Sequence, residues 1–120
     1  MPIPKVLRIV GKNYSVERMK LGDDYGECND QTQTIKVAET IAHGMERDTL
    51  LHEAIHAIDY CMQLKMSEKQ VCGLGTAIYA LLADNPELVK YIMEKPKKYV
   101  ANPVVKEAVA AKKRPTTRRK

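Results

Sequence analysis

The sequence predicts an α+β fold in which a small twisted amino-terminal β-sheet packs on one long helix, with two or three further helices following it. Three features predict this. β-branched and apolar residues alternate over roughly the first forty positions, the apolar period becomes helical from about Met45, and Ser67 and Asn85-Pro86 each restart a helix downstream.

Lys5 to Val10 is apolar and β-branched, Gly11-Lys12-Asn13 reads as a turn, and Tyr14 to Met19 resumes the extended pattern, which together predict a hairpin. Gly22-Asp23-Asp24 and Asn29-Asp30 bracket a short segment around Tyr25 to Cys28. Thr32 to Val37 then alternates, with Ile35 and Val37 on one face and Thr34 and Lys36 on the other, as in a half-buried strand.

From Met45 to about Leu64 no Gly or Pro interrupts a helical pattern, and Leu50, Leu51, Ala54, Ile55, Ala57, Ile58, Cys61 and Met62 cover well over half the wheel. A mostly buried helix follows from that. Its remaining stripe collects His52, Glu53, His56, Asp59, Tyr60 and Gln63 on one side. Ser67 and Gln70 have the spacing of a capping box, opening a helix to about Ala83. Asp84-Asn85-Pro86 stops that helix and starts another, with Asn85 as N-cap, running through Leu88, Ile92 and Met93. Asn102-Pro103 could open one more short helix through Val109.

The chain has 120 residues, 44% hydrophobic and 29% charged, values of an ordinary globular protein. Residues 1–94 are read as one domain, 95–111 as an extension with helical potential, and 112–120 as a disordered basic tail. Lys112, Lys113, Arg114, Arg118, Arg119 and Lys120 carry six positive charges, more than the whole net charge of +5, so the body is nearly neutral and the excess belongs to the tail. All six aromatic residues are Tyr, whose hydroxyls need partners when buried. Three cysteines without CxxC spacing argue against a disulfide framework. Neither a signal-peptide pattern nor an apolar run long enough to span a bilayer is present, so a cytoplasmic protein with no membrane partner is expected.

His52-Glu53-Ala54-Ile55-His56 is H-E-x-x-H on a predicted helix. Residues four apart on a helix stand about 6 Å from each other on one face, so two imidazoles can reach one Zn²⁺, while Glu53 beside them can take a proton from an activated water. Burying these three side chains in an otherwise apolar helix costs several kcal/mol unless a cation partners them, roughly 2–7 kcal/mol for each group left unpaired. Glu68, twelve residues after His56 and on the inward face of the next helix, is the expected third ligand, against the alternative of a first-turn acid favoured by the helix dipole. His43 is the only other histidine, and a loop or solvent role fits it better. Asp59 is expected to receive the second ring N–H of His56. Cys72 offers a softer substitute ligand, or simply a core side chain. Gly73 and Gly75 cost helix propensity, and close approach to the H-E-x-x-H helix would compensate.

Thr49 to Ala57, Ser67 to Val71 and Leu81 to Leu88 resemble the small cytoplasmic zincin-like metallopeptidases of phages and prophages, broadly akin to the ImmA/IrrE family and the gluzincins. The resemblance covers about residues 5–93. It implies a sheet lying beside the metal helix, one Zn²⁺ held by His52, His56 and Glu68, and Glu53 as general base. ImmA/IrrE members carry Ala-Asn-x-Phe-Ala after the third ligand, where this chain has Val71-Cys72-Gly73-Leu74-Gly75. The third histidine and cysteine-rich ribbon of SprT-type relatives have no counterpart here.

The expected activity is zinc-dependent hydrolysis of a peptide bond in a peptide or protein substrate, with Tyr60 or Tyr79 as candidate oxyanion donors, although a core tyrosine with a satisfied hydroxyl is the more ordinary role for each. The Thr32 to Val37 strand is the expected edge of the cleft, where an extended peptide could pair. Two alternatives remain open. One is a non-catalytic, metal-stabilised accessory protein that binds a partner protein or, weakly, nucleic acid through Lys112 to Lys120. The other is a closed structural zinc site.

Overall fold

The computed structural model describes residues 2–39 and 42–95, except for the side chain of His43. It is α+β, a four-stranded mixed sheet followed by three helices. The strands are β1 (Val6–Ile9), β2 (Lys12–Met19), β3 (Gly26–Asn29) and β4 (Thr34–Ala38), and the helices are α1 (His43–Met62), α2 (Glu68–Asp84) and α3 (Pro86–Met93). One compact unit runs to Leu88 and a second begins at Val89, within α3. The proposed helix from Asn102 and the basic tail, with nearly all of the 95–111 extension, lie outside the described residues.

The sheet order is β1-β2-β4-β3. β1 pairs antiparallel with β2 as expected, but the turn is tighter and earlier than the sequence suggested. Ile9 pairs with Lys12 across Val10 and Gly11, so Lys12 and Asn13 belong to the strand. Both loop residues have positive φ, 47° at Val10 and 82° at Gly11, as the commonest two-residue hairpin loops require. β3 and β4 form the second hairpin, whose turn is fixed by Asn29 Oδ1 accepting from the amides of Gln31 and Thr32 at 2.9 and 3.0 Å. The two hairpins join along a parallel β2–β4 seam. β4 is therefore an interior strand and β3 an edge, which corrects the expectation that Thr32 to Val37 borders the cleft.

Ile9, Tyr14, Val16, Ile35, Val37 and Ala57 form the buried core between sheet and α1. The alternation in β4 is as expected, with Ile35 and Val37 fully buried. Tyr14 is also fully buried, and its hydroxyl donates to Asp30 Oδ1 at 2.8 Å, which supplies the partner that its burial demands. At the amino-terminal part of α1, Glu46 accepts two hydrogen bonds from Arg18 of β2 at 2.6 and 2.8 Å, a fork that ties strand to helix.

α1 starts two residues before Met45 and ends two before Leu64, where Gln63 takes a left-handed conformation with φ 54° and the Leu64 amide bonds the Asp59 carbonyl. Its burial is less complete than expected, for Ile58 and Met62 are exposed. The capping box of α2 forms as read, with Ser67 Oγ accepting from the Gln70 amide at 3.1 Å and Gln70 Oε1 from the Ser67 amide at 2.8 Å. Asn85 stands immediately before α3, where its carbonyl accepts from the Leu88 amide at 3.0 Å, but its side chain donates backward to the Leu81 carbonyl at 2.8 Å and so closes α2 as well. Pro86 opens α3 as expected.

Val10 is β-branched and sits where such residues are strained. Val10→Asn, giving an Asn-Gly loop, is expected to raise stability by about 1 kcal/mol, checked as a higher denaturant midpoint at unchanged slope.

Candidate metal centre

His52 and His56 lie one turn apart on α1, their ring centroids 4.8 Å apart and their planes crossed at 71°. Both meet Glu68 at the start of α2. His52 Nε2 is 3.1 Å from one carboxylate oxygen of Glu68, and His56 Nε2 is 3.0 Å from the other. The helical spacing accounts for the pair of imidazoles. The connection between the helices accounts for the carboxylate, since the Ser67 capping box sets the start of α2 and Asp59 Oδ1 accepts from the Met66 amide at 3.1 Å, pinning the loop.

That bond is the side-chain contact Asp59 makes. Its carboxylate accepts from the backbone of the α1–α2 loop, which leads to Glu68, and makes no hydrogen bond to His56. Cys72, one turn after Glu68, is exposed and not a core residue, and its Sγ lies 3.7 Å from a Glu68 oxygen. One donor atom from each of His52, Glu68 and Cys72 falls within 4.8 Å of the others. One imidazole, one carboxylate and one thiol this close together are compatible with a divalent ion. Glu68 is 65% exposed, so the cluster opens to solvent.

Glu53 takes a different direction from the histidines. It is only 6% exposed, lodged against β3. Burial, reinforced by the negative charges of Glu68, Glu27 and Asp24, pushes its carboxyl up to about 7. The contact depends on a residue that sequence reasoning passed over. A Cβ on Gly26 would stand 2.6 Å from Thr49 Cγ2, 3.1 Å from Glu53 Oε2 and 3.1 Å from the Lys36 carbonyl, so β3 approaches α1 this closely only through glycine. On the other side of α1, Gly75 is buried with its Cβ position 3.6 Å from His52 Cα, which is the close helix approach anticipated for it. Gly73 faces open space, so that explanation does not extend to it.

The cavity beside these residues, of about 310 Å³, is lined by His52, Glu53 and Glu68 together with Asp24, Tyr25 and Asp48 among others. The last three were not singled out from the sequence, and the turn-like composition of Gly22 to Asp24 was the only signal near them. Neither proposed oxyanion donor belongs to this cavity. Tyr60 is 48% exposed and lines a separate depression with Lys12 and Lys65, where its hydroxyl accepts from Gln31 Nε2 at 3.4 Å. Tyr79 is eleven residues beyond Glu68, about 16 Å along the α2 axis. His43 begins α1 nine residues before His52, about 14 Å along its axis.

Protein-family models give no match to the chain, and no curated protein or solved structure matches it. No helix among the described residues is long and apolar enough to cross a membrane.

Gly26→Ala is expected to cost about 1–3 kcal/mol, because Thr49 and the Lys36 backbone cannot both retreat, and thermal unfolding would register it. A second expectation concerns pH. The folded chain holds the Glu53 proton more tightly than the unfolded chain does, so chelator-treated protein should lose stability as pH rises from about 4.5 toward 7. Allowing for partial screening, the loss is on the order of 2 kcal/mol, and the Glu53→Gln variant should lack this slope in melts across that range.

Proposed function

We propose that the chain is a zinc-dependent metallopeptidase of zincin-like type, in which His52, His56 and Glu68 would hold one Zn²⁺. The observation that carries this reading is the meeting of both H-E-x-x-H imidazoles with the two oxygens of one carboxylate from the following helix, at 3.1 and 3.0 Å. Bound there, zinc would supply a Lewis acid able to acidify a water and polarise a carbonyl. The rest falls to the chain itself. Glu53, buried beside His52 and opening on the same cavity, receives the proton of the attacking water on its carboxylate and returns it to the leaving amine. Its seat under β3 keeps competing water away and fixes its direction. The edge of β3, unpaired among the described residues and beginning at Gly26 on the cavity wall, offers backbone groups to an extended peptide. Tyr25, the phenol that lines the cavity, is the side chain best situated to donate to a developing oxyanion.

A second reading is favoured by one observation, the proximity of the Cys72 sulfur to His52 and Glu68. If the thiolate serves as an additional ligand, the site is closed and structural. The two readings diverge on measurable quantities. For the peptidase, Glu53→Gln retains stoichiometric zinc by elemental analysis while kcat falls by about 10²–10⁴-fold, Glu68→Ala loses the zinc, and Cys72→Ser keeps both zinc and activity. Zinc retention that depends on Cys72, with no peptidase activity in the wild type, would select the closed site instead.

A further inference from the structure

We infer that the cavity beside His52 and Glu53 accepts a cationic side chain, a lysine or arginine flanking the peptide bond presented to the site, and that Asp24 and Asp48 select it. The inference rests on the peptidase reading and deepens it by naming the substrate class.

Four carboxylates line the cavity, those of Asp24, Asp48, Glu53 and Glu68, and no lysine or arginine does. Asp24 comes from the connection between β2 and β3, and Asp48 from α1 one turn before His52, so the charge is brought in from two separate elements. Neither side chain takes part in a hydrogen bond or ion pair within the described residues. An independent observation points the same way. Glu53 opens on this cavity while only 6% exposed, and it too lacks a hydrogen-bond or ion-pair partner among the described residues. A carboxylate so buried without a partner carries its full desolvation cost, which a positive charge in the cavity would relieve.

One divalent ion does not use up this charge. Held by His52, His56 and Glu68, its two positive charges would fall short of the four carboxylates that line the cavity, and neither Asp24 nor Asp48 is among its ligands. A guanidinium or ammonium reaching between them meets a carboxylate from each wall, whereas a glutamate side chain meets repulsion from both. The stem of either cation can lie along the Tyr25 ring, which shares the cavity.

The test uses zinc-loaded full-length protein and short alanine-based peptides that each carry a single Lys, Arg, Leu or Glu. Cleavage is followed by mass spectrometry, and binding of intact peptides to the Glu53→Gln variant by fluorescence anisotropy at low and high salt. Lys and Arg peptides should bind and be cut about 10-fold better than Leu peptides, with Glu peptides last, and the gap should narrow with salt. In the Asp24→Asn/Asp48→Asn double variant the ratio of Lys or Arg to Leu peptides, in binding and in cleavage, should fall to about one while zinc content is retained. Equal handling of Lys and Leu peptides by zinc-replete wild type overturns the inference and leaves the peptidase reading standing, as does a preference that survives the double substitution. Protein that holds no zinc but binds Lys and Arg peptides through Asp24 and Asp48 supports the cationic cavity and overturns the peptidase reading.

Discussion

The close approach of two backbones to α1, one on each side of the His52-Glu53 pair, governs the geometry of the site. β3 reaches α1 through Gly26, and α2 reaches it through Gly75. The two contacts differ in kind. At Gly26 there is no room for even a methyl group, so β3 is held against Thr49 and Glu53 and the carboxylate is shielded from water. At Gly75 the spacing is that of ordinary van der Waals contact, and its effect is to draw the first turn of α2 close enough for Glu68 to meet both imidazoles. A bulkier strand would expose Glu53, and a more distant helix would separate Glu68 from the histidines.

Around this arrangement the polar interactions serve as fixings. Arg18 and Glu46 bind the sheet to the beginning of α1, Asp59 and the Ser67–Gln70 box set the path between α1 and α2, and Tyr14 with Asp30 closes the far side of the core. Each satisfies a group that burial or a helix end would otherwise leave unpaired. They are concentrated at the ends of α1, which leaves its middle turns free of such obligations and able to present His52, Glu53 and His56 in two directions, toward α2 and toward β3.

Much of this was legible in the sequence wherever the deciding interaction is local. The α+β order, the capping box at Ser67, the inward face of β4 and the pairing of His52 with His56 follow from periodicity and caps, which act over four residues or fewer. Legibility ended where a tertiary competitor decides. A helical wheel gives direction and not height, so it placed Tyr60 and Asp59 on the histidine side without revealing that one lies over another depression and that the other is claimed by the Met66 amide. The parallel seam between β2 and β4 and the tight seat of Gly26 are contacts between distant segments, and neither leaves a mark in local composition. Turn chemistry misled at Val10, because a β-branched residue is a poor signal for positive φ.

The parallel seam has a consequence for how the molecule assembles. Each hairpin closes over a short turn, but Met19 and Ala38 meet across a segment several times longer than the β3–β4 turn, which costs roughly 1 kcal/mol more in chain entropy. The sheet is thus two local ribbons with one non-local join, and α1 packs on β1 from the first ribbon and on β3 and β4 from the second. The helix that carries the histidines is also the clasp across that join. Joining the ribbons and seating α1 are therefore coupled, and a chain caught with its ribbons apart would lack the common surface on which α1 rests.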